Sequence, residues 1–208
     1  MGIGTAEILL TICYKLPRWL TSIFLAGMLV ACAGSTSTDT GISLFDGSSL
    51  SGWEPSGAAE WSVADGVIVG QGAGDGFIAT TETYGDFHLR LEFWVDASTN
   101  SGVFLRCQDR DRIHPESCFE LNIWDEHPKQ EARTGAIVFR VMPPRAHVET
   151  VGKWNTYEVT AKGALLEVKV NGVTTALLED ADPTPGFIAL QHWQEGVVKF
   201  RNIELRPI

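Results

Sequence analysis

The fold is decided by residues 86–95, which read Asp-Phe-His-Leu-Arg-Leu-Glu-Phe-Trp-Val. Apolar side chains occupy every second position from Phe87 to Val95. A period of two residues is typical of a β-strand with one buried face and one wetter face. Residues 119–124 repeat the pattern as Phe-Glu-Leu-Asn-Ile-Trp. This alternation predicts that Glu120 and its neighbours two residues apart lie on the face opposite the core.

Further strands are predicted on both sides of these two. Residues 159–170 indicate two strands joined by a Lys-Gly turn, and Asn171-Gly172 is a strong hairpin signal. Residues 186–193 and 197–205 supply two closing strands. We expect about a dozen short strands and no amphipathic helix longer than two turns, which favours an all-β sandwich or barrel.

The first 31 residues have the pattern of a secretion signal rather than of a folded domain. Lys15 and Arg18 precede an apolar run, residues 19–30, that is short for a membrane span and of the length of a signal-peptide core. Residues 29–32, Leu-Val-Ala-Cys, resemble a bacterial lipobox, which would make Cys32 the lipidated N-terminus; an ordinary signal peptide with an incidental cysteine is the alternative. We therefore expect a signal peptide (1–31), a flexible tether (32–41) and one domain (42–208), held on the periplasmic face of the cell envelope, in the outer membrane.

Charge and cysteine content restrict the partners and the compartment. The formal net charge is −10, and removing residues 1–31, with two cations and one anion, makes it −11. An acidic domain argues against nucleic acid, which needs a basic face, and suits a neutral sugar. Cys107 and Cys118 would be the thiols left after lipidation of Cys32, so an oxidising compartment permits a disulfide between them. Regular alternation would place them on different faces, and pairing then requires a turn at the loop ends.

A series of short motifs resembles one family along the whole domain. They are Leu44-Phe45-Asp46-Gly47, Leu50-Ser51-Gly52-Trp53, Trp61-Ser62-Val63, Asp65-Gly66-Val67-Ile68, Tyr84-Gly85-Asp86-Phe87, residues 100–106, residues 119–125, Thr134-Gly135-Ala136-Ile137, Lys153-Trp154-Asn155, Val170-Asn171-Gly172, residues 186–191 and Phe200-Arg201-Asn202-Ile203. In this order they resemble the bacterial 3-keto-disaccharide hydrolase family over about residues 42–206.

That resemblance implies a fold and a chemistry. The fold would be a concanavalin-like jelly roll of two antiparallel sheets. The activity would be cleavage of glycosides already oxidised to a ketone at C3, because the ketone acidifies the C2 proton. A base removes that proton, an enolate forms, and the group at C1 leaves by elimination, after which water adds back. Such a site needs a base, a donor or cation at the enolate oxygen, and an acid for the leaving group.

Candidate residues can be assigned to these roles, with a plainer alternative for most of them. The predicted catalytic residues are Glu120 as base, Arg106 at the enolate and His127. A Glu120–Arg106 salt bridge is the alternative. The predicted substrate-binding residues are Asn122, Asp125, Gln191, His192, Glu92 and Trp124. A solvated turn at residues 125–127, a surface histidine at position 192 and a core position for Trp124 and for Trp193 remain open.

The sequence leaves three functions open. The first is an enzyme that cleaves 3-keto-glycosides, as a hydrolase or a lyase. The second is a lectin-like carbohydrate-binding module, and the third is a structural envelope protein, since fold does not determine function. A divalent metal is left open as a cofactor, because His127, His192, Asp125 and Glu120 are suitable ligand types whose spacing defines no site.

Overall fold

The computed structural model describes residues 41–208. The predicted signal peptide, the lipobox and Cys32 lie outside the described residues. Within residues 41–208, no helix is long and apolar enough to cross a membrane.

The described chain forms two antiparallel sheets. The strands are β1 (Ile42–Ser43), β2 (Trp53–Gly57), β3 (Glu60–Ala64), β4 (Val67–Gln71), β5 (Gly76–Thr80), β6 (Phe87–Val95), β7 (Asn100–Cys107), β8 (Phe119–Ile123), β9 (Asn155–Lys162), β10 (Leu165–Val170), β11 (Val173–Leu178), β12 (Phe187–Trp193) and β13 (Val198–Pro207). One sheet has the order β11-β10-β9-β6-β13-β4-β3, with β1 also paired to β13, and the other has the order β2-β5-β12-β7-β8. A single 3₁₀ turn covers Gln130–Ala132.

The core lies between the two sheets and follows the predicted alternation. On β6, the buried side chains are those at every second position from Phe87 to Val95. They face the inner side chains of the five-stranded sheet, among them Val103, Leu121 and Leu190. The prediction of an all-β sandwich of two antiparallel sheets is confirmed. The residues that the period of two assigned to the buried face of β6 are the ones that lie in the core.

A bulge near the end of β7 changes the orientation of the residues that follow it. Arg106 has a φ of 53°, and the pairing of β7 with β12 shifts register between Phe187 and Ala189. The extra residue interrupts the alternation, as β-bulges do. Cys107 therefore turns to the outer face, where Cys118 also lies, and the expected disulfide between them is present with a Cα–Cα distance of 4.7 Å.

A small second cluster of apolar residues lies on that outer face. It contains Phe104, Phe187 and the two half-cystines, and Ile113 from the loop between β7 and β8 packs on it. Arg110 of the same loop donates to the carbonyl oxygens of Thr80 and Thr81, and its guanidinium lies 4.6 Å from the centre of the Phe187 ring. The disulfide and these contacts hold the loop against the sheet, where it forms a wall.

Candidate functional site

One straight row of residues crosses the outer face of the five-stranded sheet. The register pairs Ser56 with Phe77, Phe77 with Gln191, Gln191 with Gly102, and Gly102 with Asn122. The next row along β7 and β8 pairs Phe104 with Glu120. The alternation that buries Phe119, Leu121 and Ile123 thus brings Glu120 and Asn122 to this face.

These rows form the floor of a pocket of about 200 Å³. Its walls come from the loop before β8 and from the residues that follow β8. The lining residues are Phe77, Asn100, Phe104, Ile113, His114, Pro115, Glu120, Asn122, Trp124, His127, Val138, Gln191 and Trp193. The pocket therefore brings together five of the nine catalytic and substrate-binding residues predicted from the sequence.

Glu120 is the acidic residue of this pocket. The residue is only 7% exposed. Among residues 41–208, no group forms a hydrogen bond or an ion pair with its carboxylate. Burial without a partner disfavours the charged form, and it raises the pKa of Glu120 from 4.5 to about 8. A carboxyl with this pKa binds a proton firmly and is a stronger base once it is ionised.

Gly102 provides the space that the Glu120 side chain occupies. A Cβ at position 102 would lie 3.1 Å from Oε1 of Glu120 and 3.2 Å from the Phe104 ring. A methyl group at this position would require the carboxyl to shift by a few tenths of an ångström. The absence of a side chain also leaves the floor open between Gln191 and Asn122.

Gln191 carries a second unsatisfied polar atom. The residue is 7% exposed, and its side-chain oxygen is buried without a hydrogen-bond donor among the described residues. Leaving a buried acceptor unpaired costs free energy, so this atom is suited to a donor brought by a ligand. A hydroxyl group meets that need.

Both the side chain and the backbone of Asn122 form hydrogen bonds with buried groups next to the pocket. Its side-chain amide donates to the carbonyl oxygen of Ala132. The hydroxyl of Tyr157, on the opposite sheet, donates to the backbone carbonyl oxygen of Asn122 over 2.6 Å and accepts from the Gly135 amide at 3.2 Å. Tyr157 is thus a positioning residue that ties the strand carrying Glu120 and Asn122 to the other sheet.

His127 lines the pocket beside Trp124, with ring centroids 4.5 Å apart in an edge-to-face arrangement. Its Nδ1 accepts a hydrogen bond from the backbone amide of Lys129 at 2.9 Å. Because Nδ1 is an acceptor, the neutral ring carries its hydrogen on Nε2. His127 is thereby a hydrogen-bond donor rather than a base, and it does not compete with Glu120 for that role.

Arg106 does not lie in this pocket, contrary to the prediction. Its guanidinium donates to the carbonyl oxygens of Gly163 and Asp182, both at 2.9 Å, and pairs with Asp86 at 3.1 Å. The bulge at Arg106 is the physical reason, because it turns the side chain away from the outer face. The alternative, a salt bridge between Arg106 and Glu120, is absent for the same reason.

Asp125 is buried behind the pocket rather than at its rim. Its carboxylate accepts hydrogen bonds from the Thr134 hydroxyl at 2.5 Å and from the backbone amide and the hydroxyl of Thr150 at 2.5 and 2.9 Å. Arg133 approaches to 3.9 Å. With its acceptor sites used in this way, Asp125 anchors the long segment after β8 and leaves nothing to offer a substrate.

His192 and Glu92 also lie outside the pocket. His192 follows Gln191 on β12 and therefore points inward, where its two ring nitrogens lie 3.1 Å from the carbonyl oxygens of Gly74 and Gly196. Glu92 is on the outer face of the eight-stranded sheet, where it accepts from Arg201 at 2.8 Å. The sequence could not assign strands to sheets, and the prediction for Glu92 failed on that point.

The four residues considered as metal ligands do not converge. Glu120 and His127 line the pocket, whereas Asp125 and His192 point elsewhere. In the part of the chain that the structure describes, no group of three or more His, Cys, Asp or Glu side chains is placed to hold a metal ion.

Comparison with known proteins identifies the family. Residues 40–206 match the family described as the 3-keto-alpha-glucoside-1,2-lyase-like domain. The chain belongs to this family. No match was found among curated protein sequences.

The lyase-like domain also resembles solved structures. Two are proteins of Parabacteroides distasonis ATCC 8503, each described as a "putative glycosyl hydrolase". The first has 22% identity, a TM-score of 0.67, and coverage of 79% of this chain and 92% of the other; the second has 27% identity, a TM-score of 0.64, and coverage of 75% and 99%. The carbohydrate-binding module CBM66 of Bacillus subtilis has 16% identity, a TM-score of 0.54, and coverage of 74% and 95%. These likenesses confirm the predicted jelly-roll class.

Several residues that line the pocket of the lyase-like domain are not indicated by the sequence pattern. His114 and Pro115 come from the irregular loop between β7 and β8, where no periodicity indicates which side chains face the sheet. Trp193 also lines the pocket, whereas the sequence favours a core position for this residue. The alternation from Gln191 to Trp193 was the usable signal, since residues two apart on a strand share a face.

Proposed function

We propose that this domain cleaves 3-keto-glycosides by removing the C2 proton, with Glu120 as the base. The observation that carries the proposal is a carboxyl group buried without a partner in a pocket that also holds an unpaired amide oxygen, on Gln191. An unpartnered buried carboxyl with a raised pKa is costly to keep, and such groups cluster at functional sites. Membership of the lyase-like family supplies the reaction class.

The proposed cleavage has two steps, proton abstraction and elimination, and the addition of water follows them. Ionised Glu120 takes the proton from C2, and the electron pair of that C–H bond forms the C2–C3 double bond of an enolate. The enolate then re-forms the C3 carbonyl while the C1–O bond breaks and a C1–C2 double bond forms. The leaving oxygen takes a proton, which Glu120 now holds, and addition of water across the double bond completes a hydrolysis.

The neutral donors of the pocket would stabilise the enolate oxygen in place of Arg106. The Nε2–H of His127 and the side-chain amides of Asn100 and Gln191 are available for this, and all three residues line the pocket. Donors that are already oriented are most effective where water is excluded. Trp124 and Trp193 offer apolar surface to the sugar ring.

A chromogenic 3-keto-glucoside tests the proposal. The wild-type domain should release the chromophore, and Glu120→Gln, which keeps the shape but removes the base, should lower turnover by ~10²–10⁴. Binding of the sugar should change far less. Near-normal turnover by Glu120→Gln would place the base elsewhere.

A carbohydrate-binding module without catalysis is the second candidate. The similarity to a binding module and the aromatic side chains of the pocket favour it. Sugar binding in calorimetry without any cleavage of 3-keto-glucosides would decide for this function. An ionisable carboxyl kept without a partner is harder to explain for a protein that only binds.

We also propose that the domain acts in the cell envelope, attached through Cys32. Residues 29–32 carry this proposal, and the diacyl group of such an anchor supplies the two chains that stable attachment requires. Cys32→Ser should abolish palmitate labelling and membrane sedimentation of the full chain. Persistence of both in the variant would exclude the lipobox.

A further inference from the structure

The loop that follows β8 holds His127 by three of its atoms. The backbone N–H of His127 donates to the carbonyl oxygen of Trp124 at 3.3 Å, and its ring nitrogen Nδ1 accepts from the backbone amide of Lys129 at 2.9 Å. The carbonyl oxygen of His127 accepts from the side-chain amide of Gln130, also at 2.9 Å. Pro128, inside this turn, has no N–H that could compete for these acceptors. The backbone and the ring of His127 are therefore fixed together.

The side chain of Gln130 closes this turn. Its Nε2 donates to the carbonyl oxygens of Asp125 at 3.0 Å and His127 at 2.9 Å, and its Oε1 accepts from Nη1 of Arg133 at 3.2 Å. Each partner can act in one direction only, because a carbonyl oxygen accepts and a guanidinium donates. A single orientation of the Gln130 amide group therefore satisfies all three contacts.

Arg133 connects Gln130 to the buried part of the loop. The residue is 5% exposed, and its Nη1 also contacts the ring of His147. Its Nη2 pairs with Glu149 at 3.3 Å and approaches the buried carboxylate of Asp125 to 3.9 Å. Because these contacts hold the guanidinium in one place, Arg133 can orient the amide group of Gln130.

The closed turn determines which ring nitrogen of His127 carries a hydrogen. A neutral imidazole can carry its hydrogen on either nitrogen, and the partner of one nitrogen decides the form. The amide of Lys129 at Nδ1 leaves the hydrogen on Nε2. This contact requires the turn to keep the Lys129 amide directed at the ring, and Gln130 is the side chain that ties the two carbonyl groups of the turn together.

We infer that Gln130 is a positioning residue that keeps His127 as a hydrogen-bond donor, and that Arg133 orients Gln130 for this role. The inference rests on the proposed function, in which the Nε2–H of His127 stabilises the enolate oxygen. His127 lines the Glu120 pocket, whereas Gln130 and Arg133 do not. Gln130 therefore acts through His127 and not on the substrate.

Gln130→Glu tests this role with little change in shape. The substitution puts a carboxylate oxygen, which only accepts, against the two carbonyl oxygens of Asp125 and His127. The three oxygens repel one another, so the turn should open and release the Lys129 amide from the histidine ring. Gln130→Met, which has a similar length but no donor, removes the same contacts without adding a charge.

Gln108 provides a matched control elsewhere in the fold. It is exposed, as Gln130 is, and its Nε2 also donates to two carbonyl oxygens, those of Arg106 at 3.1 Å and Pro185 at 2.8 Å. Gln108 does not line the Glu120 pocket. Gln108→Glu therefore repeats the local change, and any general loss of stability, at a place without contact to His127.

Turnover of a 3-keto-glucoside is measured for the wild type and the three variants. We expect both Gln130 variants to lower kcat about fivefold to tenfold and to change KM less than about twofold, because a donor at the enolate acts in the transition state. Gln108→Glu should keep kcat within about twofold of the wild type. Equal losses of kcat in the Gln130 and Gln108 variants, or no loss in the Gln130 variants, would overturn the inference.

Nitrogen NMR of the histidine rings examines His127 without any turnover. In the wild type we expect the shifts of a single form with hydrogen on Nε2, and in Gln108→Glu the same shifts. In both Gln130 variants the shifts should move toward a mixture of the two forms, and hydrogen exchange at the Lys129 amide should become about tenfold faster.

The two measurements separate the inference from the proposed function. If the wild type cleaves no 3-keto-glucoside but the NMR changes are seen, the proposed function fails and the control of His127 by Gln130 stands. If the wild type cleaves the sugar and the His127 ring is the same in the Gln130 variants as in the wild type, the reaction stands and the role of Gln130 is wrong.

Discussion

Gly102 lies beneath the carboxyl group of Glu120, so closely that a Cβ at position 102 would be 3.1 Å from Oε1. We expect Gly102→Ala to shift the Glu120 carboxyl by a few tenths of an ångström and to lower kcat by about threefold to tenfold, since a misplacement of about 1 Å costs about 100-fold in a catalytic geometry. The backbone at Gly102 has no positive φ, so folding should be unaffected or slightly favoured.

The matched control for this substitution is Gly85→Ala. Its Cβ would meet its nearest neighbour, Pro185, at an ordinary 3.7 Å. Turnover of the 3-keto-glucoside and thermal unfolding are measured for both variants. Equal activity in Gly102→Ala and Gly85→Ala would show that the position of the Glu120 carboxyl does not matter.

The raised pKa of Glu120 predicts how the rate depends on pH. A base must be ionised to act, and with a pKa of about 8 most of the free enzyme carries a proton on Glu120 at neutral pH. We therefore expect kcat/KM to rise with pH and to level off above pH 8. A plateau that already begins near pH 5 would mean that Glu120 has an ordinary pKa or is not the base.

The same pKa links Glu120 to stability. The folded state keeps a proton that the unfolded chain releases near pH 4.5, so the stability due to this group is lost as pH rises from 4.5 to 8. Glu120→Gln removes this loss and should stabilise the domain more at pH 9 than at pH 5, by about 1–3 kcal/mol. Denaturant unfolding at the two pH values measures the difference.

The disulfide between Cys107 and Cys118 should support both stability and the pocket. It closes the loop that carries Ile113, His114 and Pro115, three of the wall residues. Reduction should lower the free energy of unfolding by about 2–4 kcal/mol and raise KM through the loosened wall. The double variant Cys107→Ser/Cys118→Ser should show both effects without reductant and should not respond to it. An unchanged KM in the variant would remove the loop from substrate binding.

Arg106 is predicted to stabilise the fold rather than to act on substrate. Its guanidinium donates hydrogen bonds to the carbonyl oxygens of Gly163 and Asp182 and to the carboxylate of Asp86. Lysine does not reproduce the planar fork, so Arg106→Lys should lower the free energy of unfolding by about 1–3 kcal/mol. At a temperature where the variant is folded, kcat should stay within twofold of the wild type. A large loss of kcat in fully folded protein would restore a catalytic role for Arg106.

Strand alternation explains which site residues could be predicted. Glu120, Asn122 and Trp124 were assigned to one face because Phe119, Leu121 and Ile123 had to be buried, and the structure has that arrangement. Arg106 could not be placed in this way, because a bulge at a non-glycine residue leaves no signal in the sequence. Its displacement, however, is what brings Cys107 to the same face as Cys118.

Loops and sheet order limited the rest of the prediction. Aspartate often binds substrates or metal ions, so the sequence makes Asp125 a candidate. Only the positions of Thr134 and Thr150 in the fold show that its carboxylate already accepts hydrogen bonds from them. Glu92 lies on a strand of the expected kind but in the other sheet, and the pairing of distant strands is not encoded in local periodicity. His114 needed the path of the disulfide-closed loop to be known.

The fate of the hydrogen at C2 is the most direct test of proton abstraction by Glu120. Wild-type protein is incubated with a 3-keto-glucoside in D₂O, the reaction is stopped early, and the sugar product is analysed by mass spectrometry and NMR against Glu120→Gln under the same conditions. For the wild type we expect either the unsaturated ketone, which has no hydrogen at C2, or a hydrated product with deuterium at C2. We expect almost no product from Glu120→Gln. A hydrated product that retains its original hydrogen at C2, formed equally well by Glu120→Gln, would contradict proton abstraction by Glu120.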